Sequence, residues 1–158
     1  TTEIYTLSLH DALPILNIGL IGIGAFMALA AAGSALGAGS AGMAAIGAWK
    51  KCFLQNKPAP FLLIAFVGAP LTQTIYGFIL MNAFRAVMET MDPGIILGAG
   101  LFGGLAMGVS AWYQGKAGAS ASDAFAETGK GFGNYILVLG LVETVALFVM
   151  VFLLGITG

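Results

Sequence analysis

The chain has 158 residues, of which 59% are hydrophobic and only 8% are charged, with a formal net charge of −1. Its mean hydropathy is +0.97. These values exclude a soluble globular domain, in which about 25% of the residues are usually charged. A lipid bilayer is therefore the predicted solvent.

The first fifteen residues differ from the rest of the chain. Residues 3–15, EIYTLSLHDALPI, resemble the conceptual translation of a DNA sequencing adaptor, so residues 1–15 are expected to be a non-native tail. The alternative is a short signal sequence. It lacks a basic flank, and Ser8, His10 and Asp11 interrupt its apolar run. Leu16 is thus the first residue that we use for the fold.

Four apolar stretches follow in chain order, and each can supply the roughly 20 residues of a membrane-spanning helix. They comprise residues 16–49, 58–84, 93–115 and 131–158, and the last contains one charge, Glu143. These glycine-rich stretches show no strand alternation, which favours helices over a β-barrel. The predicted fold class is an all-α membrane protein with four transmembrane helices.

The charges suggest how these helices are oriented. The connection between helices one and two is expected to contain Lys50, Lys51 and Lys57, and the connection between three and four Lys116 and Lys130. The connection between two and three carries both signs, with Arg85, Glu89 and Asp92. By the positive-inside rule, loops 1–2 and 3–4 are predicted to be cytoplasmic and both termini to be outside.

The sequence contains an internal duplication. Residues 34–42, SALGAGSAG, align with residues 110–118, SAWYQGKAG, with five of nine positions identical. Further on, Gln73 in the Thr-Gln-Thr run aligns with Glu143 in the Val-Glu-Thr run. We therefore predict two tandem hairpins with the same direction, residues 16–91 and 92–158. One carboxylate survives, because the first copy has an amide in its place.

Glycine and alanine dominate the first helix, where they recur from Gly19 to Gly42. Small residues let membrane helices approach closely. The second helix of each copy is bulkier. We expect concentric packing in which the first and third helices form an inner wall and the second and fourth an outer wall.

Glu143 is the first candidate residue of the functional site. A carboxylate at the bilayer centre costs about 2.5–3.5 kcal/mol on insertion scales, so it is expected to have partners and a function. The alternative is a structural hydrogen bond between helices. Four residues of the second helix share one face, because they are spaced at i, i+3, i+4 and i+7: Ala69, Thr72, Gln73 and Tyr76. The third helix adds the amide of Gln114. Pro70 is expected to bend the helix there.

These oxygens suit a hard cation. Calcium usually takes more than one carboxylate, whereas a monovalent ion balances the single charge of Glu143.

The polar motifs resemble those of a known family. Residues 69–78 (APLTQTIYGF), 114–116 (QGK) and 141–144 (LVET) are similar to motifs of the proteolipid, or K, rotor subunit of V-type sodium-transporting ATPases. The similarity covers residues 16–158 and includes the duplicated c-ring organisation. In that family, many copies form a ring that rotates against a stator while a soluble head hydrolyses ATP.

The resemblance implies a role for each site residue. Glu143 would be the essential ion-binding carboxylate, and Tyr76 would hold it in position. The other Na+ ligands would be oxygens of the Thr72 hydroxyl, the Gln73 and Gln114 side chains and the Ala69 main chain. Ala69 replaces a larger apolar residue of the family, but only its backbone is involved. Na+ is favoured over the alternative, H+, because proton-pumping relatives typically lack the full polar set, and no organic cofactor is implied.

The resemblance also implies partners: identical subunits in a ring, a stator subunit with a positive residue, central-stalk and ATPase-head subunits, and lipid of the cell membrane, with no nucleic acid. The chain has no Gly-x-x-x-x-Gly-Lys-Ser/Thr motif for ATP, so catalysis is expected in a partner. Two rival interpretations remain open. One is a small ATP-independent secondary transporter with one essential Glu, and the other is a structural pore-forming proteolipid.

Overall fold

A computed structural model describes the backbone of residues 9–158 and the side chains of residues 18–158. Within this part of the chain, four helices are long and apolar enough to cross a membrane. They are α1 (Leu9–Leu54), α2 (Leu63–Ala86), α3 (Pro93–Thr128) and α4 (Phe132–Thr157). The predicted all-α class with four spanning helices is confirmed. The expected tail, residues 1–15, lies outside the described side chains and stays a prediction.

Two helices extend beyond the predicted apolar stretches. α1 continues past residue 49 and includes Lys50 and Lys51, and α3 continues past residue 115 and includes Lys116. Placing these lysines in loops was therefore wrong. The residues after Lys116 are mostly alanine and serine, which a helix accommodates, so α3 continues to Thr128. The next residue, Gly129, has a φ of +65° and terminates the helix.

Close contact between α1 and α3 forms the centre of the protomer. These two helices pack together more extensively than any other pair. A Cβ atom added to Gly33 would overlap the backbone of Gly108, and one added to Gly115 would overlap the backbone of Gly37. The small residues are thus required by direct backbone approach. Whether α1 and α3 form the inner wall of a ring stays a prediction.

A short irregular segment interrupts α2. The helix comprises Leu63–Gly68, a 3₁₀ turn at Ala69–Leu71 and a second α-helical part, Thr72–Ala86. Pro70 lies inside the turn. Because proline cannot donate a backbone hydrogen bond, the chain tightens there and presents the Ala69 carbonyl to the Thr72 hydroxyl at 3.0 Å.

Two apolar clusters lie at different levels of the bundle. One includes Phe26, Leu80 and Phe84, and the other includes Phe66 and Phe125. Along each helix, polar residues lie in sequence between the residues of one apolar cluster and those of the other. Together they form a layer of polar side chains.

α4 packs against both apolar clusters, but most of its side chains are only partly buried or exposed. Only Leu139 and Ala146 of its residues are buried. The remaining apolar surface of α4 is therefore left for lipid or for another protein.

Candidate ion-binding site

The polar layer contains one or more side chains from each helix. They are Ser34 of α1, Thr72, Gln73 and Tyr76 of α2, Ser110 and Gln114 of α3, and Glu143 of α4. Gln73 and Gln114 have no exposed surface, whereas Glu143 is partly exposed on α4. A polar layer between two apolar clusters is costly unless its groups are paired, so these hydrogen bonds matter for folding as well as function.

Glu143 is held by two donors from different helices. The Tyr76 hydroxyl of α2 donates to Oε1 at 2.6 Å, and Nε2 of Gln114 on α3 donates to Oε2 at 3.1 Å. Each carboxylate oxygen thus accepts one hydrogen bond. Glu143 is the twelfth of the 26 residues of α4, so it lies near the middle of a spanning helix.

Gln114 connects the carboxylate to α2. Its Nε2 also donates to the backbone oxygen of Leu139 at 3.1 Å, and its Oε1 accepts from Nε2 of Gln73 at 2.8 Å. Gln114 therefore has three partners in three directions, and its side-chain orientation is fixed by all of them.

A cluster of oxygens lies next to this chain of hydrogen bonds. The Thr72 hydroxyl oxygen is 3.0 Å from the backbone oxygen of Ala69 and 3.1 Å from Oε1 of Gln73. Hydroxyl, carbonyl and amide oxygens are ligands that hard cations prefer. With one carboxylate in this layer of the described chain, the charge matches a monovalent ion.

Five of the six residues singled out from the sequence lie in this layer, and the sixth, Ala69, lies beside it. Direct hydrogen bonds join Thr72, Gln73, Gln114, Glu143 and Tyr76 in one network, and the Ala69 carbonyl joins it through Thr72.

Sequence reasoning gave no role to two further groups of the site. The Ser110 hydroxyl donates to the backbone oxygen of Val142 at 2.9 Å and so ties α3 to α4 beside Glu143. The Leu139 carbonyl orients Gln114. Ser110 was visible as the first residue of the repeated segment, but the carbonyl had no signal in the sequence.

Two comparisons with known proteins relate the chain to subunits of ATP synthases. Residues 97–156, which contain Gln114 and Glu143, match the family profile of the ATP synthase C subunit. The chain is also 34% identical over 134 residues to the A-type ATP synthase subunit K of Methanocaldococcus jannaschii. The chain is thus similar to subunits C and K of ATP synthases.

These similarities agree with the predicted resemblance to V/A-type rotor proteolipids. The alignment covers 84% of this chain and 58% of the relative, so the chain spans somewhat more than half the length of that protein.

Proposed function

We propose that the chain is a rotor-ring subunit of a V/A-type ATPase, which binds Na+ at Glu143 and carries it past a stator during ATP-driven rotation. One observation carries the proposal: a carboxylate in the middle of a spanning helix is held by Tyr76 and Gln114 from two other helices. Carboxylates at this depth are expensive and mark ion pathways.

The choice of Na+ follows from the partners of Glu143. Tyr76 and Gln114 both donate to the carboxylate, which leaves the remaining lone pairs of its oxygens available to a cation. Thr72, Gln73 and the Ala69 carbonyl supply neutral oxygens for a cation. A ring that carries H+ remains the alternative, and it needs none of these three ligands.

Transport follows from the cost of charge in lipid. With Na+ bound, the Glu143 site is neutral and can face lipid as the ring turns, whereas the empty anion must stay near a positive charge. That charge would be an arginine of the stator subunit. Loading and unloading of the partly exposed Glu143 would therefore control rotation.

Orientation in the cell membrane follows from the remaining lysines. Lys50 and Lys51 in the last turns of α1, with Lys57 and Lys130 in connections, lie at the α1–α2 and α3–α4 ends of the helices. We place these ends in the cytoplasm and both termini outside. Lys116 no longer supports this orientation, because it lies within α3.

The proposed partners follow from the surface that α4 leaves unburied and from the positive charge that the empty Glu143 anion requires. Identical subunits and lipid would cover α4, which buries only two of its residues in the protomer. A stator subunit would supply the positive residue, and central-stalk and ATPase-head subunits would supply hydrolysis.

The secondary-transporter alternative accounts for Glu143 but not for the complete set of ligands from three helices. A structural pore would make Glu143 expendable.

A labelling experiment tests the proposed ion. A hydrophobic carbodiimide reacts with the protonated acid, so bound Na+ should protect Glu143 in the purified assembly. Raising Na+ should slow labelling and shift its half-maximal point to lower pH, because Na+ competes with the proton. Labelling that does not respond to saturating Na+ at any pH would make this a proton site and would refute the sodium proposal.

A further inference from the structure

Ser34 of α1 is a buried polar side chain with no hydrogen-bond partner. It is 2% exposed, and its hydroxyl is the single buried side-chain N or O atom without a partner among residues 18–158. Two other buried serines do have partners, Ser110 at the Val142 backbone and Ser122 at the Gly118 backbone. Because nearly all buried polar groups in native proteins are paired, this exception requires an explanation.

The packing of α1 on α2 places Ser34 opposite Gln73. Two close contacts fix the antiparallel register: a Cβ atom added to Gly37 would lie 2.9 Å from Cβ of Pro70, and one added to Gly77 would lie 2.9 Å from Cβ of Ala30. Ser34 lies between the two α1 positions, and Gln73 lies between the two α2 positions. Helical spacing puts both on the contacting faces.

Gln73 also has unused hydrogen-bonding capacity. Its side-chain NH₂ group has two donors, and one of them bonds to Oε1 of Gln114 at 2.8 Å. The second donor has no partner in the described part of the chain, although Gln73 has no exposed surface. An unused hydroxyl and an unused N–H therefore occupy facing positions of two packed helices.

We propose that Ser34 is a positioning residue for the ion site. When the ion is bound, the Ser34 hydroxyl accepts the second N–H of Gln73, directly or through one buried water, and so keeps Oε1 of Gln73 turned toward Thr72 and the ion. Without this bond, the amide could exchange its oxygen and nitrogen by rotation and present N–H groups to a cation. This inference rests on the proposed Na+ site.

The duplication provides independent support. Ser34 aligns with Ser110, and Ser110 bonds to the residue just before Glu143. The serine of the second copy thus positions the segment that carries the carboxylate. Ser34 would serve the equivalent residue of the first copy, Gln73, by accepting from its side chain instead of donating to a backbone oxygen.

The test compares Ser34→Ala with the wild type in the assembled protein, using Na+ protection of Glu143 from carbodiimide. We expect Ser34→Ala to raise the Na+ concentration for half-protection by about two- to tenfold, the effect of one net hydrogen bond. The pH profile of labelling without Na+ should stay unchanged, because Ser34 does not contact Glu143. A merely structural loosening of the bundle would shift both measurements.

Matched variants complete the design. Ser122→Ala removes a buried hydroxyl that bonds within its own helix and should leave Na+ protection at the wild-type value. Ser34→Thr keeps the hydroxyl and should restore protection. If Ser34→Ala fails to assemble, Ser34→Cys, which is a weaker hydrogen-bonding group, should weaken protection in the same direction.

The two proposals can fail separately. Wild-type protection with an unchanged Na+ requirement in assembled Ser34→Ala or Ser34→Cys overturns the role of Ser34 alone. Absence of Na+ protection in the wild type overturns the proposed Na+ site and this inference with it.

Discussion

The Tyr76 hydroxyl and Oε1 of Glu143 lie 2.6 Å apart across the contact between α2 and α4, although 67 residues separate them in sequence. This bond would join the two predicted copies, since Tyr76 belongs to the first and Glu143 to the second. The candidate ion-binding carboxylate is thus oriented by the copy that has Gln73 in its place.

Removing this bond should weaken the site without removing the acid. In Tyr76→Phe, we expect the Na+ concentration for half-protection of Glu143 to rise about tenfold or more, because hydrogen bonds to charged groups are worth about 1.5–3 kcal/mol. Carbodiimide labelling without Na+ should persist. Tyr113→Phe on the exposed surface of α3 is the control. An unchanged Na+ requirement in Tyr76→Phe would show that the hydroxyl does not hold the carboxylate.

Gln114 should matter more than any other neutral residue of the site. Gln114→Leu removes its bonds to Glu143, Gln73 and the Leu139 carbonyl together, so we expect loss of Na+ protection and of Na+ transport while labelling continues. Asn82→Leu, which removes an exposed amide that bonds only within α2, is the control. Normal Na+ protection in an assembled Gln114→Leu protein would exclude Gln114 as a ligand.

Two glycine substitutions in α1 should differ in their effect on stability. Gly33→Ala places a methyl group against the backbone of Gly108 and should lower the thermal unfolding midpoint in detergent, since overpacking costs about 1–3 kcal/mol. A Cβ atom at Gly39 meets nothing within 4 Å, so Gly39→Ala should be neutral or stabilising by up to about 1 kcal/mol from helix propensity. Equal midpoints for the two variants would contradict the close α1–α3 contact.

A rotor subunit should form a closed ring. Identical head-to-tail interfaces close by rotation, and native mass spectrometry of the gently solubilised protein should therefore detect a cyclic assembly larger than a tetramer. Glu143→Gln should assemble equally well, because it preserves the shape of the side chain, but it should not react with carbodiimide or transport Na+. A monomer or dimer as the only stable species would favour the secondary transporter.

The first fifteen residues should be dispensable. If they derive from an adaptor, a chain that starts near Leu16 after an initiator methionine should insert and assemble as the full chain does. Ring assembly and Na+ protection of the two forms provide the comparison. Loss of assembly on this deletion would give the segment a structural role.

The sequence by itself determined the fold class and the number of spanning helices, and it singled out six residues that the structure brings together. Hydropathy suffices to locate helices in lipid, because each helix satisfies its own backbone hydrogen bonds and appears in the sequence as an apolar stretch. The apolar stretches did not predict the helix ends correctly. Lys116 was taken as a loop residue because a charge ends an apolar stretch, but α3 continues through it to Thr128.

Only the tertiary structure decided which site groups contact each other. Helical periodicity places Thr72, Gln73 and Tyr76 on one face, but it contains no information about the partner of each atom on another helix. The contacts of Gln114 with the Leu139 carbonyl and of Ser110 with the Val142 carbonyl involve backbone oxygens, which every residue has and no sequence pattern marks. The unpartnered hydroxyl of Ser34 became visible in the same way, because burial and register arise only when α1 packs on α2.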